Sequence, residues 1–211
     1  MEVTTQDAYQ HRETLMTNVV KWLYADERIR NSGTCWELWG GHITADHVYV
    51  GANRSIPHFA KGPVMRTGGL LDVCMFGCTL PDEQPRKPIE GEAVTVSGFP
   101  AGAGTLEHRY AEVYMARPEG HSGSTDYAIP GWIGKIDQPR VPFPFDSTLF
   151  DAVYGGMSGG LVSATDGEPL GVLITQNGRA HLDRDEYIDD SFDFVPLYKV
   201  WEVMKDAPLV A

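Results

Sequence analysis

The chain has 211 residues, 42% of them hydrophobic, enough to bury a core in one large domain or two small halves. A formal net charge of -12 excludes the clustered basic surface that a nucleic-acid or anionic-membrane partner rewards, and no apolar run is long enough to span a bilayer. The 23 glycines and 14 prolines, spread along the chain, favour many short strands and turns over long helices.

In chain order, residues 6–17 carry Ala8, Tyr9, Leu15 and Met16 at spacings a helix can use, so a short N-terminal helix is expected before a first strand at Val19–Tyr24. The amino terminus lacks the basic-then-apolar layout of a secretory signal. A charged turn over Ala25–Asn31 separates that strand from Ser32–Trp39, an aromatic and apolar strand broken by Gly40 and Gly41.

His42 to Val50 then reads as a short strand holding two histidines. His42, beside the glycines, is expected to be a solvated turn residue, whereas His47 stands after Thr44-Ala45 where the chain leaves the strand, the better place for a base. Asp46 is expected to be solvated and to point away from its neighbour, as adjacent residues of an extended segment do. Gly69 to Phe76 follows, an apolar strand interrupted by one carboxylate, Asp72. A buried carboxylate needs a partner. Either it accepts backbone hydrogen bonds at a strand edge or it orients an imidazole.

Cys74 and Cys78 are four apart, about 13 Å along a strand at roughly 3.3 Å per residue, too far to bridge. Three cysteines, an odd number, suit a reduced compartment, and all three are expected to pack as small apolar residues. No metal ligand set stands out, and neither a metal nor a cofactor is expected.

A proline-rich and charged loop, Thr79–Glu92, precedes a strand at Ala93–Pro100. Arg109–Ala116 alternates Tyr110, Glu112 and Tyr114 with Ala111, Val113 and Met115, the clearest half-buried strand in the chain. Pro118–Gly131 is a glycine-, serine- and proline-rich linker or loop, and Trp132–Ile136 is a further strand.

The most informative stretch is Tyr154-Gly155-Gly156-Met157-Ser158-Gly159-Gly160-Leu161-Val162. Glycines on both sides of a serine let the backbone turn so that amide groups converge beside the hydroxyl. The N–H groups of Gly156 and Ser158 are candidates for an oxyanion hole, and Ser158 for a nucleophile. After it come a hairpin through Leu161–Ser163 and Leu170–Thr175, and an acidic segment from Asp183 to Asp193 that reads as a solvated loop. A closing strand at Phe194–Leu197 leads into a terminal helix, Tyr198–Lys205, with Val200, Trp201 and Met204 inward.

The string also satisfies Gly-x-Ser-x-Gly, the nucleophile elbow of α/β-hydrolases, whose acid and histidine follow the serine. Here the candidates run His47, Asp72, Ser158, and the sole histidine after Ser158 is His181, so the elbow alternative is set aside.

Together these residues resemble the trypsin-like serine peptidases, in particular the disulfide-free bacterial and viral branch that includes HtrA-like and glutamyl-endopeptidase-like enzymes. Ser32-Gly33-Thr34, then Ile43-Thr44-Ala45-Asp46-His47-Val48, is similar to that family's first strand and catalytic histidine. Leu71-Asp72-Val73, Val96-Ser97-Gly98-Phe99-Pro100, Gly156-Met157-Ser158-Gly159-Gly160 and Phe194-Val195-Pro196-Leu197 resemble its aspartate strand, strand end, nucleophile turn and closing strand.

The resemblance implies an all-β fold of two antiparallel six-stranded β-barrels with short N-terminal and C-terminal helices. Residues 1–18 would form a helical extension, 19–117 the first barrel with His47 and Asp72, 118–131 a linker, and 132–211 the second barrel with Ser158 and the last helix. It implies a serine endopeptidase acting on proteins or peptides through an acyl-enzyme. A protease-fold scaffold that no longer cuts, or an esterase, is the alternative.

By position the substrate pocket would involve Ala152, Thr175, Gln176, Asn177, Phe192 and Asp193. Leu173 or Ile174 stands where glutamate-specific members carry a histidine, which speaks against glutamate preference, and an acidic rim from the segment ending at Asp193 would favour basic substrates. Met157 replaces the aspartate that pairs with a freshly cut amino terminus in pancreatic-type members, so activation by that ion pair is not expected. With no signal and no disulfide framework, a cytoplasmic or virus-encoded enzyme is expected.

Overall fold

Val19–Asp26 (β1) folds straight back onto Ile29–Leu38 (β2) in an antiparallel ladder running from Val19 opposite Trp36 to Asp26 opposite Ile29. The charged turn expected over seven residues is therefore much tighter, and Ile29 to Asn31 belong to the strand. The computed structural model describes residues 19–26, 29–52, 54, 57–67, 71–100, 105–115, 132–136, 157–181 and 187–206. The expected N-terminal helix and the 118–131 linker lie outside the described residues.

Gly41–Ala45 (β3), Val64–Arg66 (β4) and Val73–Phe76 (β5) complete a five-stranded antiparallel sheet in the order β1-β2-β3-β5-β4. All four residues of β5 are buried, as a continuous apolar run in a strand covered on both faces demands. Between β3 and β4 a six-residue helix, Asp46–Gly51 (α1), replaces the second half of the expected strand.

Ala93–Gly98 (β6), Glu107–Met115 (β7), Trp132–Ile136 (β8), Leu161–Ala164 (β9), Pro169–His181 (β10) and Tyr187–Pro196 (β11) close into a six-stranded barrel in the order β10-β11-β8-β7-β6-β9. In β7 the expected alternation holds in part: Ala111 and Val113 are buried and Tyr110 is exposed, but Tyr114, expected on the outward face, is buried as well. Closure leaves no free edge in this half.

The fold is all-β, with two antiparallel sheets and, among the described residues, two helices. Among the described residues the first half is a five-stranded sheet where a six-stranded barrel was expected, and two further expectations need correction. β6 and β7 belong to the second barrel, so the division between the halves falls before β6 and not at residue 117. Strand periodicity reports which face is buried and says nothing about which sheet a strand joins. The acidic segment is not a loop throughout: residues 187–193 lie in β11, where Phe192 and Phe194 fill the barrel core while charges occupy other positions.

Leu197–Lys205 (α2) packs on β10 and β11, and its Leu197, Val200 and Met204 are buried in one apolar cluster with residues of the first sheet, among them Ile43, Val73 and Met75. Trp201, expected inward, is half-buried and donates its indole N–H to the Pro81 carbonyl at 2.9 Å. Leu161, Val172 and Ile174 of the second barrel join the same apolar cluster. One apolar cluster thus spans both halves, beside a second cluster enclosed within the barrel.

Candidate active site

α1 opens with Ala45 in extended conformation and no side-chain cap of its own. The first amides of a helix lack partners inside it, and here Asp72 supplies them. The Asp46 N–H donates to the Asp72 carbonyl at 2.8 Å, and the His47 N–H donates to Asp72 Oδ1 at 2.8 Å. Oδ2, the second carboxylate oxygen, lies 2.6 Å from His47 Nδ1. One carboxylate therefore caps the helix and holds the imidazole, so both roles considered for Asp72 are filled at once.

Asp72 sits just before β5 with φ of 53°, in the left-handed region that Asp and Asn tolerate best among residues with a Cβ. That kink turns its side chain toward α1. The imidazole is 48% exposed and the carboxylate 12%, so the ring faces outward while the acid is enclosed. An ionised carboxylate can only accept, so a neutral imidazole facing one carries its proton on Nδ1 and its lone pair on Nε2.

Two further contacts set the helix. Val48 packs over Gly33 of β2 so closely that a Cβ on that glycine would lie 2.3 Å from a Val48 methyl carbon. Asp46 is buried, contrary to the expectation of a solvated side chain, and receives Arg66 Nε at 2.5 Å and Nη2 at 2.6 Å in a bidentate pair. The premise of an extended segment fails because the helix begins at Asp46. The Asp46 hydrogen bonds push the Arg66 guanidinium above its ordinary value against the opposing effect of burial. Arg66 and its neighbour Thr67 went unnoticed in the sequence, where a single arginine ends the short run Pro63-Val64-Met65 far along the chain from Asp46.

His42, expected in a solvated turn, lies in β3, half-buried, with its ring 5.0 Å from that of Phe59. Burial lowers its pKa, partly offset by Glu37 opposite it across the strands. It has no part in the His47–Asp72 pair.

Ser158 occupies the turn Met157–Gly159. Met157 is fully buried in the second barrel's core, so the residue in place of an ion-pairing aspartate acts as an apolar anchor for the turn. Gly159 has φ of 84°, and a Cβ there would lie 2.2 Å from both the Thr34 carbonyl oxygen and Thr44 Oγ1, and 2.9 Å from the Ala45 amide nitrogen. Only glycine fits. The Ser158 carbonyl accepts from Thr34 N–H at 2.9 Å, and Gly159 N–H donates to the Leu173 carbonyl at 2.7 Å.

The serine turn of the second barrel is thereby pressed against β2 and β3 at Ala45, two residues before His47. The Ser158 hydroxyl donates to the Ile174 carbonyl at 3.1 Å. Of the two expected oxyanion donors, Ser158 is in this turn and Gly156 lies outside the described residues.

Of the expected pocket residues, Ala152 also lies outside the described residues. Thr175 and Gln176 of β10 pair with Asp193 and Phe192 of β11, and Asn177 with Ser191, so this set forms one patch of ladder directly after Ile174. The Phe192 side chain is fully buried in the barrel core beside Met157 and Phe194, as inward alternation places it. Cys35, Cys74 and Cys78 are free and buried, and burial raises their thiol pKa values, that of Cys78 to about 12, as expected of packing residues.

Similar architecture is found in solved proteases. The active form of the Rv3671c protease from M. tuberculosis matches with a TM-score of 0.60 at 18% identity over 95% of this chain and 85% of that one. Its inactive form matches at 0.59 and 18% over 96% and 93%, and the serine endoprotease from Yersinia pestis at 0.53 and 17% over 97% and 67%.

The fold is that of the trypsin-like serine proteases. At these identities the match carries the architecture alone, and it does not separate the active from the inactive form. No protein-family model and no curated protein sequence matches the chain. No helix among the described residues is long and apolar enough to cross a membrane, and no group of three or more His, Cys, Asp or Glu side chains among them is arranged to hold a metal ion.

Proposed function

We propose that the chain is a serine endopeptidase in which Ser158 is the nucleophile, His47 the general base and acid, and Asp72 the group that orients and stabilises the imidazolium. The observation that carries this reading is the junction at Ala45. The second barrel's serine turn is seated against the strand that leads into the helix bearing His47, and His47 Nδ1 lies 2.6 Å from Asp72 Oδ2, a pairing that favours the tautomer with Nε2 free of a proton.

Ser158 Oγ attacks a peptide carbonyl, Nε2 takes its proton and returns it to the leaving amine, and water then releases the acyl-enzyme. The N–H groups of Gly156 and Ser158 would receive the developing oxyanion. The hydroxyl donates to Ile174 in this structure, so the first event is its rotation from that carbonyl toward His47.

The same hydrogen bond favours a second reading, a protease-fold binding protein in which the serine stays held on β10. Incubating a proteome-derived peptide library with wild type and Ser158→Ala, followed by mass spectrometry, decides between them. Cuts made only by wild type, together with fluorophosphonate labelling lost in Ser158→Ala, are the expected result. The same spectra show which residue precedes the cut and so test the preference for basic side chains. Labelling without any peptide cleavage would point to an esterase, and neither labelling nor cleavage to the binding role.

A further inference from the structure

The residues just outside the His47–Asp72 pair form a closed circuit. Arg66 grips Asp46, the residue before His47, with two parallel hydrogen bonds. Its neighbour Thr67 grips Val73, the residue after Asp72: Val73 N–H donates to Thr67 Oγ1 at 2.9 Å, and Thr67 N–H donates to the Val73 carbonyl at 3.0 Å. The circuit is completed by the Asp46 N–H on the Asp72 carbonyl. Arg66 also lies with its guanidinium carbon 5.5 Å from the ring centroid of Tyr49, one turn along α1.

We propose that Arg66 is a positioning residue that, through Asp46 and Tyr49, sets the rotation of α1 and so holds His47 on Asp72. The inference rests on the peptidase reading for its kinetic arm only. A six-residue helix has little hydrogen-bonded length to fix its own orientation. Asp46 and Tyr49 flank His47 on the helix, and a single planar fork touching both restrains α1 about its axis. Thr67 holds the start of β5 in the same way, so the two-residue segment Arg66-Thr67 braces the base and its acid from one side.

A buried carboxylate stripped of the charged partner it has among the described residues must protonate, draw in water or move. The Asp46 amide is bonded to Asp72, so movement there is passed to the pair itself. A misplacement of about 1 Å near reacting groups costs about a hundredfold in rate.

The test uses the full chain and the variants Arg66→Met and Arg66→Lys. Long-range proton–nitrogen correlation spectra at about pH 8, read from the carbon-bound ring protons and assigned with His47→Gln, report which ring nitrogen carries the proton. Wild type should show His47 protonated at Nδ1. Arg66→Met should shift toward a mixed tautomer and lose about a hundredfold in kcat with KM nearly unchanged. Arg66→Lys, which keeps the charge without the fork, should fall between them and serves alone if Arg66→Met does not fold.

Variants with the wild-type ring spectrum and kcat within twofold, whatever their melting temperature, would overturn the proposal and leave an ordinary ion pair. A wild type that turns over no substrate yet shows the Nδ1-protonated ring, with the tautomer disturbed in the variants, sinks the peptidase reading while supporting the brace.

Discussion

The two halves of the candidate site are built by different means. On the His47 side, geometry is carried by side-chain hydrogen bonds: Asp72 to the ring and to the helix amide, Arg66 to Asp46, Thr67 to Val73. On the Ser158 side it is carried by backbone and by the absence of side-chain volume, with Gly159 wedged between Thr34, Thr44 and Ala45. The first half should therefore answer to changes of charge and hydrogen-bonding chemistry at constant shape, and the second to changes of volume at constant chemistry.

Asp72→Asn is the sharpest probe of the first half and has the largest expected effect. Asn tolerates the left-handed backbone at this position and can still accept the His47 N–H through its carbonyl oxygen, so the fold should persist. Its amide group, however, donates toward Nδ1 and forces the ring proton onto Nε2, where the base is needed. A loss of about 10⁴ in kcat, the size seen for this substitution in the triad template, is expected with an unchanged melting temperature. Steady-state kinetics beside a thermal melt would show it, and a parallel collapse of both would mean that the carboxylate is structural.

Gly159→Ala is the matching probe of the second half. The added methyl meets two oxygens and an amide nitrogen in a backbone conformation alanine avoids, and left-handed strain and overpacking together should cost about 3 kcal/mol. Denaturant unfolding would measure it, and a cost below about 1 kcal/mol would mean that the seat at Ala45 is loose.

Thr34→Val sits between the two regimes. It keeps the volume and the backbone hydrogen bond to Ser158 but removes the acceptor that Phe99 N–H uses at 2.9 Å, leaving a half-buried donor without that partner at a cost of up to about 2 kcal/mol. A destabilisation with the serine still reactive toward a fluorophosphonate would separate this strand's structural work from the chemistry.

The contrast also explains what the amino-acid sequence revealed. A serine wrapped in glycines is written locally, because its geometry is a local backbone matter, and the order His47, Asp72, Ser158 already spoke against the elbow-type hydrolase. The Asp46–Arg66 pair was hidden: its members are twenty positions apart, on a helix and a strand whose meeting depends on how β3, β4 and β5 align. Reading Asp46 as part of an extended segment pointed it into solvent, whereas the helix starting there turns it inward. In β11 a run of carboxylates masked the alternation that sends Phe192 and Phe194 into the barrel. The strand partners of β6 and β7 are equally non-local, which is why the division between halves was placed too late.

The smallest expected effect lies away from both halves, in the connection between the sheets. There Glu92 receives Arg86 Nη1 at 3.1 Å, Arg86 Nη2 at 2.5 Å and the Ile89 N–H at 3.0 Å, and Arg86 reaches on to Glu168 of the second barrel. Burial works against the Glu92 carboxylate, but these hydrogen bonds and the Arg86 charge outweigh it and hold its pKa below the ordinary 4.5. A carboxyl lowered on folding contributes stability that is fully present above the unfolded value and lost as pH falls through the folded one. Arg86 is about a third exposed, so solvent screening limits the contribution to about 1 kcal/mol or less. Unfolding free energies from neutral pH down through the carboxylate range should therefore fall less steeply for Glu92→Gln than for wild type, by no more than that amount. Parallel curves would mean that the connection is held by the Trp201 bond to Pro81 and by apolar packing, and that side-chain charge matters in this molecule mainly where it touches His47.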